Sequence, residues 1–299
     1  KNMNLKARLL EDKILIAPGV YDALTASIAE MTGFEAIYLS GAAVSYTKLG
    51  QPDIGLTSLS EMADVLKFIN DKVNVPIIID ADTGFGNALN AQRTMRLFEQ
   101  AGASALQIED QTFPKRCGHL SGKSIISSVE MAGKVAAMAD ARISENTLII
   151  ARTDAIAVEG VSSAIDRANA YLAAGADVLF IEAPESSDQM ALICKSFSNR
   201  APLLANMVEG GKTPTMDATM LEEKGYSIAI FPGGVVRAIA RTAQEYYQNL
   251  MQKGSTESFR NRMFDFNELN WFLNTNAVLE KGKIYESAST RERTSPEKI

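Results

Sequence analysis

Short apolar runs alternate with longer stretches of helical period along most of the chain. The runs fall at 14–17, 34–39, 75–79, 105–108, 147–151, 178–181, 203–205 and 227–231. Between them, apolar positions recur three and four apart and predict helices over about 22–32, 60–73, 90–101, 128–140, 162–174, 187–197, 217–224 and 235–253, the first capped by Asp22. Gly33, Gly102, Gly175 and Gly225 each stand between a predicted helix and the next run, where a C-cap glycine belongs. Strands that are apolar throughout suit a parallel sheet covered on both faces. Eight strand–helix pairs predict an α/β fold, a (β/α)8 TIM barrel; an open doubly wound sheet is the alternative, and the even spacing favours closure.

The pattern stops after Gly254. Residues 264–279 are rich in Phe, Trp and Leu, which a free monomer should not leave in water. The chain therefore reads as a barrel catalytic domain, 1–253, and a C-terminal helical extension, 254–299, packed on the barrel or on a neighbouring subunit. Its last, polar residues, 287–299, are expected to fray.

At 299 residues the length suits one α/β barrel with an appendage, and a 46% hydrophobic share is enough for a large core. The net charge of −6 comes from interspersed acids and bases, which argues against nucleic acid or an anionic membrane as partner. Two cysteines, Cys117 and Cys194, make no disulfide framework. With no secretory-type start and no apolar run approaching 18 residues, the expected location is the cytoplasm.

In a barrel of this kind the active site forms at the carboxyl ends of the strands. Ser40, Asp80, Asp82, Glu109, Arg152, Glu182 and Asn206 each stand where a predicted strand gives way to its loop. Four carboxylates around one arginine repel one another, and a divalent cation is the simplest compensator. All-oxygen ligands suit Mg²⁺, or Mn²⁺, with Asp82 as the direct ligand and Asp80, Glu109 and Glu182 acting partly through water. One histidine and no cysteine pair at ligand spacing argue against a zinc centre. Individually, any of these acids is equally open to capping a helix or pairing with a base.

Arg152 is suited to a bidentate grip on a substrate carboxylate, and the Ser40, Gly41 and Ala42 amides to a second anionic oxygen. Asn206, Gly118 and His119 add donors; His119 is open to either carboxylate binding or general-base work. Tyr38 enters the site only if strand alternation turns it inward. Together these groups describe a site for a small 2-oxo or 2-hydroxy acid. Gly210-Gly211 and Gly233-Gly234 follow the seventh and eighth strands, where many barrels hold phosphate, though both pairs suit tight turns as well.

The segment Lys115-Arg116-Cys117-Gly118-His119 places a thiol between cations, which favour the thiolate. Alone it reads either as a reactive loop or as a basic turn with an incidental cysteine.

Five motifs together settle that choice. Ser40-Gly41, Asp80-Ala81-Asp82-Thr83-Gly84-Phe85-Gly86, Ile108-Glu109-Asp110-Gln111, Lys115-Arg116-Cys117-Gly118-His119 and Ala151-Arg152-Thr153-Asp154-Ala155 resemble, in order and spacing, the isocitrate lyase/phosphoenolpyruvate mutase superfamily. The chain is most similar to its short lyases, which act on 2-methylisocitrate or 2,3-dimethylmalate. The resemblance implies Mg²⁺ dependence, a homotetramer with exchanged terminal helices, and cleavage of a hydroxy acid to pyruvate and a second carboxylate. It implies that Cys117 protonates the carbanion left by cleavage, with Tyr38, Glu109 or a metal-bound water open as the base. The alternatives are an oxaloacetate hydrolase or decarboxylase, or a phosphonate-type phosphorylmutase. The mutases lack the loop cysteine, and Pro232 stands in the region where the hydrolases carry a serine.

Overall fold

The computed structural model describes residues 4–118 and 122–287. Eight strands, β1 (Leu15–Val20), β2 (Ile37–Leu39), β3 (Ile77–Asp80), β4 (Ala105–Glu109), β5 (Leu148–Thr153), β6 (Val178–Ile181), β7 (Leu203–Asn206) and β8 (Ile228–Phe231), close into a parallel barrel in sequence order. β1 seals the ring against β8 through Leu15↔Ile228 to Pro18↔Phe231. The open doubly wound alternative is thereby excluded.

Alternation along the strands divides the core in two. Tyr38, Ile78, Ile150, Phe180 and Ile228 fill the barrel interior. Their neighbours Ile37, Leu39, Ile77, Ile79 and Ile149 face outward and pack with the helices. Strands covered on both faces have no polar side to display, which is why their sequences read as unbroken apolar runs.

The helices begin on side-chain caps. Asp22 accepts from Thr25 N, Ser58 from Glu61 N, Asn87 from Asn90 N and Asp217 from Met220 N, each such cap contributing about 1 kcal/mol. Gly33, Gly102, Gly175 and Gly225 hold φ between 102° and 111°, as the C-cap reading requires.

Several strands run further than the apolar pattern suggests. β3 includes Asp80, β4 Glu109, β5 Arg152 and β7 Asn206, in register with Gln107, Arg152, Phe180 and Ile230 respectively. A parallel ladder uses backbone groups only, so a strand can end on a polar side chain without leaving the sheet. Asp80, Glu109, Arg152 and Asn206 accordingly stand on the rim of the barrel, while Ser40, Asp82 and Glu182 follow just past their strands.

The chain divides into two compact units, residues 1–238 and 239–299. The division falls inside the helix Gly234–Lys253, where the sequence pattern puts it after residue 253. Of that helix only Val236 is buried. Helices Phe266–Phe272 and Thr275–Ser287 lie in the second unit. Among the described residues no helix is long and apolar enough to cross a membrane.

Candidate active site

A cavity opens at the carboxyl ends of the strands, with about 570 Å³ of open space including its mouth. Tyr38, Ser40, Ala42, Asp80, Cys117, Gly118, Arg152, Glu182 and Asn206 line it together. Tyr38 is inward, as its place in the barrel interior dictates, and its hydroxyl donates to Gln107 Oε1. Burial, reinforced by the nearby Asp80 charge, holds the Tyr38 phenol well above its ordinary pKa. Tyr38 is thus held as a neutral hydrogen-bond group in this site, which weighs against it as the base.

The acids meet at an unexpected centre. Lys115 reaches down from the loop after β4, 4% exposed, and pairs with Asp53 and with Asp82, the latter at 2.8 Å. Burial alone would lower the lysine, but Asp82, Asp53, Asp80 and Glu109 reverse the sign and hold it protonated. Asp82 goes the other way: burial raises it, Lys115 only partly restrains it, and Asp80 and Asp53 push it further, to about 7. Asp80 accepts the Gly41 amide at 3.3 Å and the Asp82 amide at 3.1 Å. Glycine suits position 41, since a Cβ there would stand 3.0 Å from Asp80 Oδ2 and press on that carboxylate.

These bonds correct two expectations. The sequence offers the Ser40, Gly41 and Ala42 amides to a substrate oxygen. In the fold, Ser40 N donates to Val20 O, Gly41 N goes to Asp80, and the Ser40 hydroxyl caps the short helix Gly41–Val44 by accepting from Ala43 N. Ala42, the third member of the trio, lines the cavity. The cationic flank of Cys117 is also weaker than its sequence suggests, because the Lys115 charge is neutralised by Asp53 and Asp82.

Arg152 departs from expectation in the same way. Its fork is bidentate, but to protein: Nε to Asp154 Oδ2 at 2.9 Å and Nη2 to Asp154 Oδ1 at 3.1 Å. Nη1 lies 3.2 Å from Glu109 Oε2, and the guanidinium stacks 5.1 Å above the Phe180 ring. A substrate carboxylate therefore meets only the N–H bonds left over from this clamp. Burial raises Asp154, yet Arg152 and Lys123 outweigh it and hold that carboxyl below its usual range. Burial wins at Glu109, which lies well above the usual range despite Arg152.

Beyond β6 and β7, Asn206 Nδ2 donates to both Glu182 oxygens at 3.2 Å. Asn206 Oδ1 is buried and accepts nothing among the described residues. The amide orientation follows from the carboxylate, which needs a donor, and it turns the oxygen of Asn206 away from Glu182 as an acceptor.

The loop carrying Cys117 is tied at its base by an antiparallel bridge, Gln111↔Ile125, with Thr112 N to Ser124 O and Ile126 N to Asp110 O. Gln111 also grips the loop backbone, donating to Arg116 O at 2.7 Å and accepting from Arg116 N at 3.0 Å, while its Nε2 reaches Glu109 Oε1 at 3.0 Å. Cys117 itself is half-buried and lines the cavity. A Cβ on Gly118 would collide with Glu182 and Arg152, so glycine is what lets the loop lie against the clamp. His119 lies outside the described residues.

The expected Mg²⁺ is testable against the donors. Among the described residues no three Asp, Glu, His or Cys side chains converge on one point. Gln111 and Arg152 each hold one oxygen of Glu109, which suits a contact to the ion through water more than direct ligation. Asp80 and Asp82 do stand together, and Asp82 Oδ1 is buried with an ion pair but no hydrogen bond. Two carboxylates and water are the donor set Mg²⁺ prefers, so Asp80 and Asp82 fit the ion as a pair.

Sequence reasoning did not single out Asp53, Phe180 or the Arg237–Glu209 ion pair, although Asp53, Phe180 and Arg237 line the cavity. Asp154 is named in the sequence only as part of the Arg152 motif; it stands just past the end of β5, and its pairing with Arg152 is seen only in the fold.

Residues 5–251 match the family described as phosphoenolpyruvate phosphomutase. The 2,3-dimethylmalate lyase of Eubacterium barkeri is 40% identical, covering 93% of this chain and 97% of its own. The 2-methylisocitrate lyase of Aeropyrum pernix is 47% identical over 84% of this chain and 80% of its own. A solved 2,3-dimethylmalate lyase, described as a PEP mutase/isocitrate lyase superfamily member, superposes with a TM-score of 0.88 at 31% identity, covering 99% of this chain and 97% of that one. A phosphonopyruvate hydrolase solved with oxalate and Mg²⁺ superposes at 0.83 and 28% identity, covering 93% and 96%. With its barrel, its rim of acids and its near full-length agreement with these proteins, the chain belongs to the PEP mutase/isocitrate lyase superfamily.

Proposed function

We propose that the protein is a Mg²⁺-dependent carbon–carbon lyase, which cleaves a 2-hydroxy di- or tricarboxylate of the 2-methylisocitrate or 2,3-dimethylmalate type to pyruvate and a second carboxylate. The observation that carries this reading is the placement of Cys117 on one cavity with Arg152 and Asp80. A thiol set across from a carboxylate-binding cation suits protonation of a carbanion, and lyases of both substrate types are among its relatives.

When bound at Asp80 and Asp82, Mg²⁺ would supply positive charge against the hydroxyl and carboxylate oxygens of the substrate. The chain's own residues do the rest. The N–H bonds that Arg152 keeps free and the Ala42 amide hold substrate carboxylate oxygens. Asn206 Oδ1 accepts from a substrate O–H or a water, and the pair Glu182–Asn206 fixes that orientation. The hydroxyl proton leaves to the acid cluster as the C2–C3 bond breaks and C2 becomes a carbonyl. The electron pair stays on C3, next to its carboxylate, and Cys117 Sγ–H delivers the proton there. Val208, Ile230 and Pro232 give the cavity an apolar wall suited to methyl substituents. Phe264, Phe266, Trp271 and Tyr285, all exposed, suit burial in a homotetramer. The partner that enters the site is a small hydroxy acid; nucleic acid and membrane are not partners on this reading. A reducing cytoplasm keeps Cys117 a thiol.

The experiment is proton NMR of products from 2-methylisocitrate, 2,3-dimethylmalate and oxaloacetate with Mg²⁺, for the wild type and Cys117→Ala. Pyruvate with succinate or propionate, lost in the variant while oxalate still binds, supports the reading. Oxalate and acetate from oxaloacetate alone would replace it with the hydrolase, and cleavage by Cys117→Ala at the wild-type rate would remove the role of the thiol.

A further inference from the structure

We propose that Lys123 is a positioning residue that locks the Cys117 segment to the Arg152 clamp. Its side chain is 1% exposed, and its ammonium makes two strong bonds at once. One runs to Gly118 O at 2.6 Å, the residue after the thiol; the other runs to Asp154 Oδ1 at 2.8 Å, the carboxylate that fixes Arg152. Oδ1 of Asp154 thus receives Lys123 and Arg152 Nη2 together, while Oδ2 receives Arg152 Nε.

The geometry makes this more than a buried ion pair. Gly118 lies against Arg152 and Glu182 so closely that no side chain fits there, so the height of its carbonyl sets how far Cys117 stands from the clamp. On the other side of the thiol, Gln111 holds Arg116 by both its amide and its carbonyl. Cys117 is therefore bracketed, and the two brackets end on different parts of the site: Gln111 on Glu109, Lys123 on Asp154. A lysine is suited to the second bracket because a tetrahedral ammonium can serve a carbonyl and a carboxylate in different directions, whereas a planar guanidinium prefers one bidentate partner. Behind Asp154, Asp110 accepts its amide at 2.9 Å and the Thr153 and Tyr171 hydroxyls at 2.7 Å, so the anchor end of Lys123 is immobile. What Lys123 holds in place is the loop.

The inference deepens the lyase reading and rests on it for its kinetic arm, so the test has a second arm that needs no substrate. In Lys123→Met, kcat for the substrate identified by the product assay should fall at least about tenfold, while KM changes less than about threefold, because the carboxylate grip remains. Alkylation of Cys117 by iodoacetamide, read by mass spectrometry against the buried Cys194, should become at least about fivefold faster, because the loop is no longer held. Unchanged alkylation in a variant with wild-type circular dichroism overturns the proposal, as does an unchanged kcat. If Lys123→Met does not fold, Lys123→Arg decides: its guanidinium keeps Asp154 paired but cannot seat between Asp154 and Gly118 O. Faster alkylation of that variant supports the lock, and wild-type alkylation overturns it. A wild type that cleaves none of the hydroxy acids sinks the lyase reading, and the alkylation arm still judges Lys123.

Discussion

Replacing Arg152 with Met tests the clamp at its centre. The substitution removes the two bonds to Asp154, the ion pair with Glu109 and the cation over Phe180, and it leaves two buried carboxylates behind. Breaking one partner out of a buried pair costs roughly 3–5 kcal/mol. Lys123 still pairs with Asp154, which places the expected loss at the lower end, about 3 kcal/mol. With m about 3 kcal/mol per molar urea, that is a midpoint about 1 M lower. The sign of the pH dependence follows from Glu109. Its carboxyl is already raised by burial, so its contribution to stability is full below the unfolded pKa and is lost as pH rises through the folded one. Without Arg152 the folded pKa rises further, and protonation of Glu109 relieves more of the damage in acid. The midpoint deficit should therefore be smaller at pH 5.5 than at pH 8. The assay is urea unfolding followed by far-ultraviolet circular dichroism, since the single tryptophan, Trp271, lies in the 239–299 unit and does not report on the barrel. A deficit under about 0.3 M at pH 8, or an equal deficit at both pH values, would refute the argument that buried charge balance is what Arg152 supplies.

Two further outcomes follow from the same electrostatics. Tyr38→Phe should lower kcat by less than about tenfold and leave the alkaline limb of the kcat/KM profile where it was, because a phenol held above its ordinary pKa stays neutral through the working range; a shifted limb would show that Tyr38 titrates. Mg²⁺ affinity, measured by isothermal titration calorimetry, should weaken by roughly tenfold per pH unit below about 7, since protonated Asp82 cannot ligate; a Kd that is flat from pH 8 to pH 6 would remove Asp82 from the ligand pair.

What the sequence reveals and what it hides divide along a physical line. The strands are legible because a parallel sheet buried on both faces favours apolar residues along its length, and the cap Asp22 because it bonds within three residues; Ser58 and Asn87 cap in the same way, but the helical period alone places those helix starts later. The identity of the rim residues is legible for the same reason: a polar residue that ends an apolar strand stands out. Their partners are not. Asp53 and Lys115 are 62 positions apart and meet only because two loops fold over one rim. Lys115 reads as a flanking charge for Cys117 until the fold turns it inward. Gly41 reads as an amide donor for substrate, and nothing local shows that Asp80, 39 residues on, takes that amide first.

Those hidden pairings give the site its direction. Asp154 draws two cations, Arg152 and Lys123, and its carboxyl is lowered; Asp82 shares one cation with Asp53 beside a further acid, and its carboxyl is raised. The two ends of one cavity floor therefore differ in sign, although the sequence supplies acids at both. An incoming carboxylate lowers its energy by lying toward Arg152, and a cation lowers its energy by lying toward Asp80 and Asp82. A hydroxy acid is then oriented before any bond to it is made, with one carboxylate at the arginine end and its hydroxyl toward the acids. Lys115 fits the same asymmetry, because its buried ammonium reaches both Asp53 and Asp82 at the acid end. The asymmetry also shows why the acid cluster is incompletely neutralised by the protein itself. A second lysine there would draw Asp82 down toward ionisation, as Arg152 and Lys123 draw Asp154.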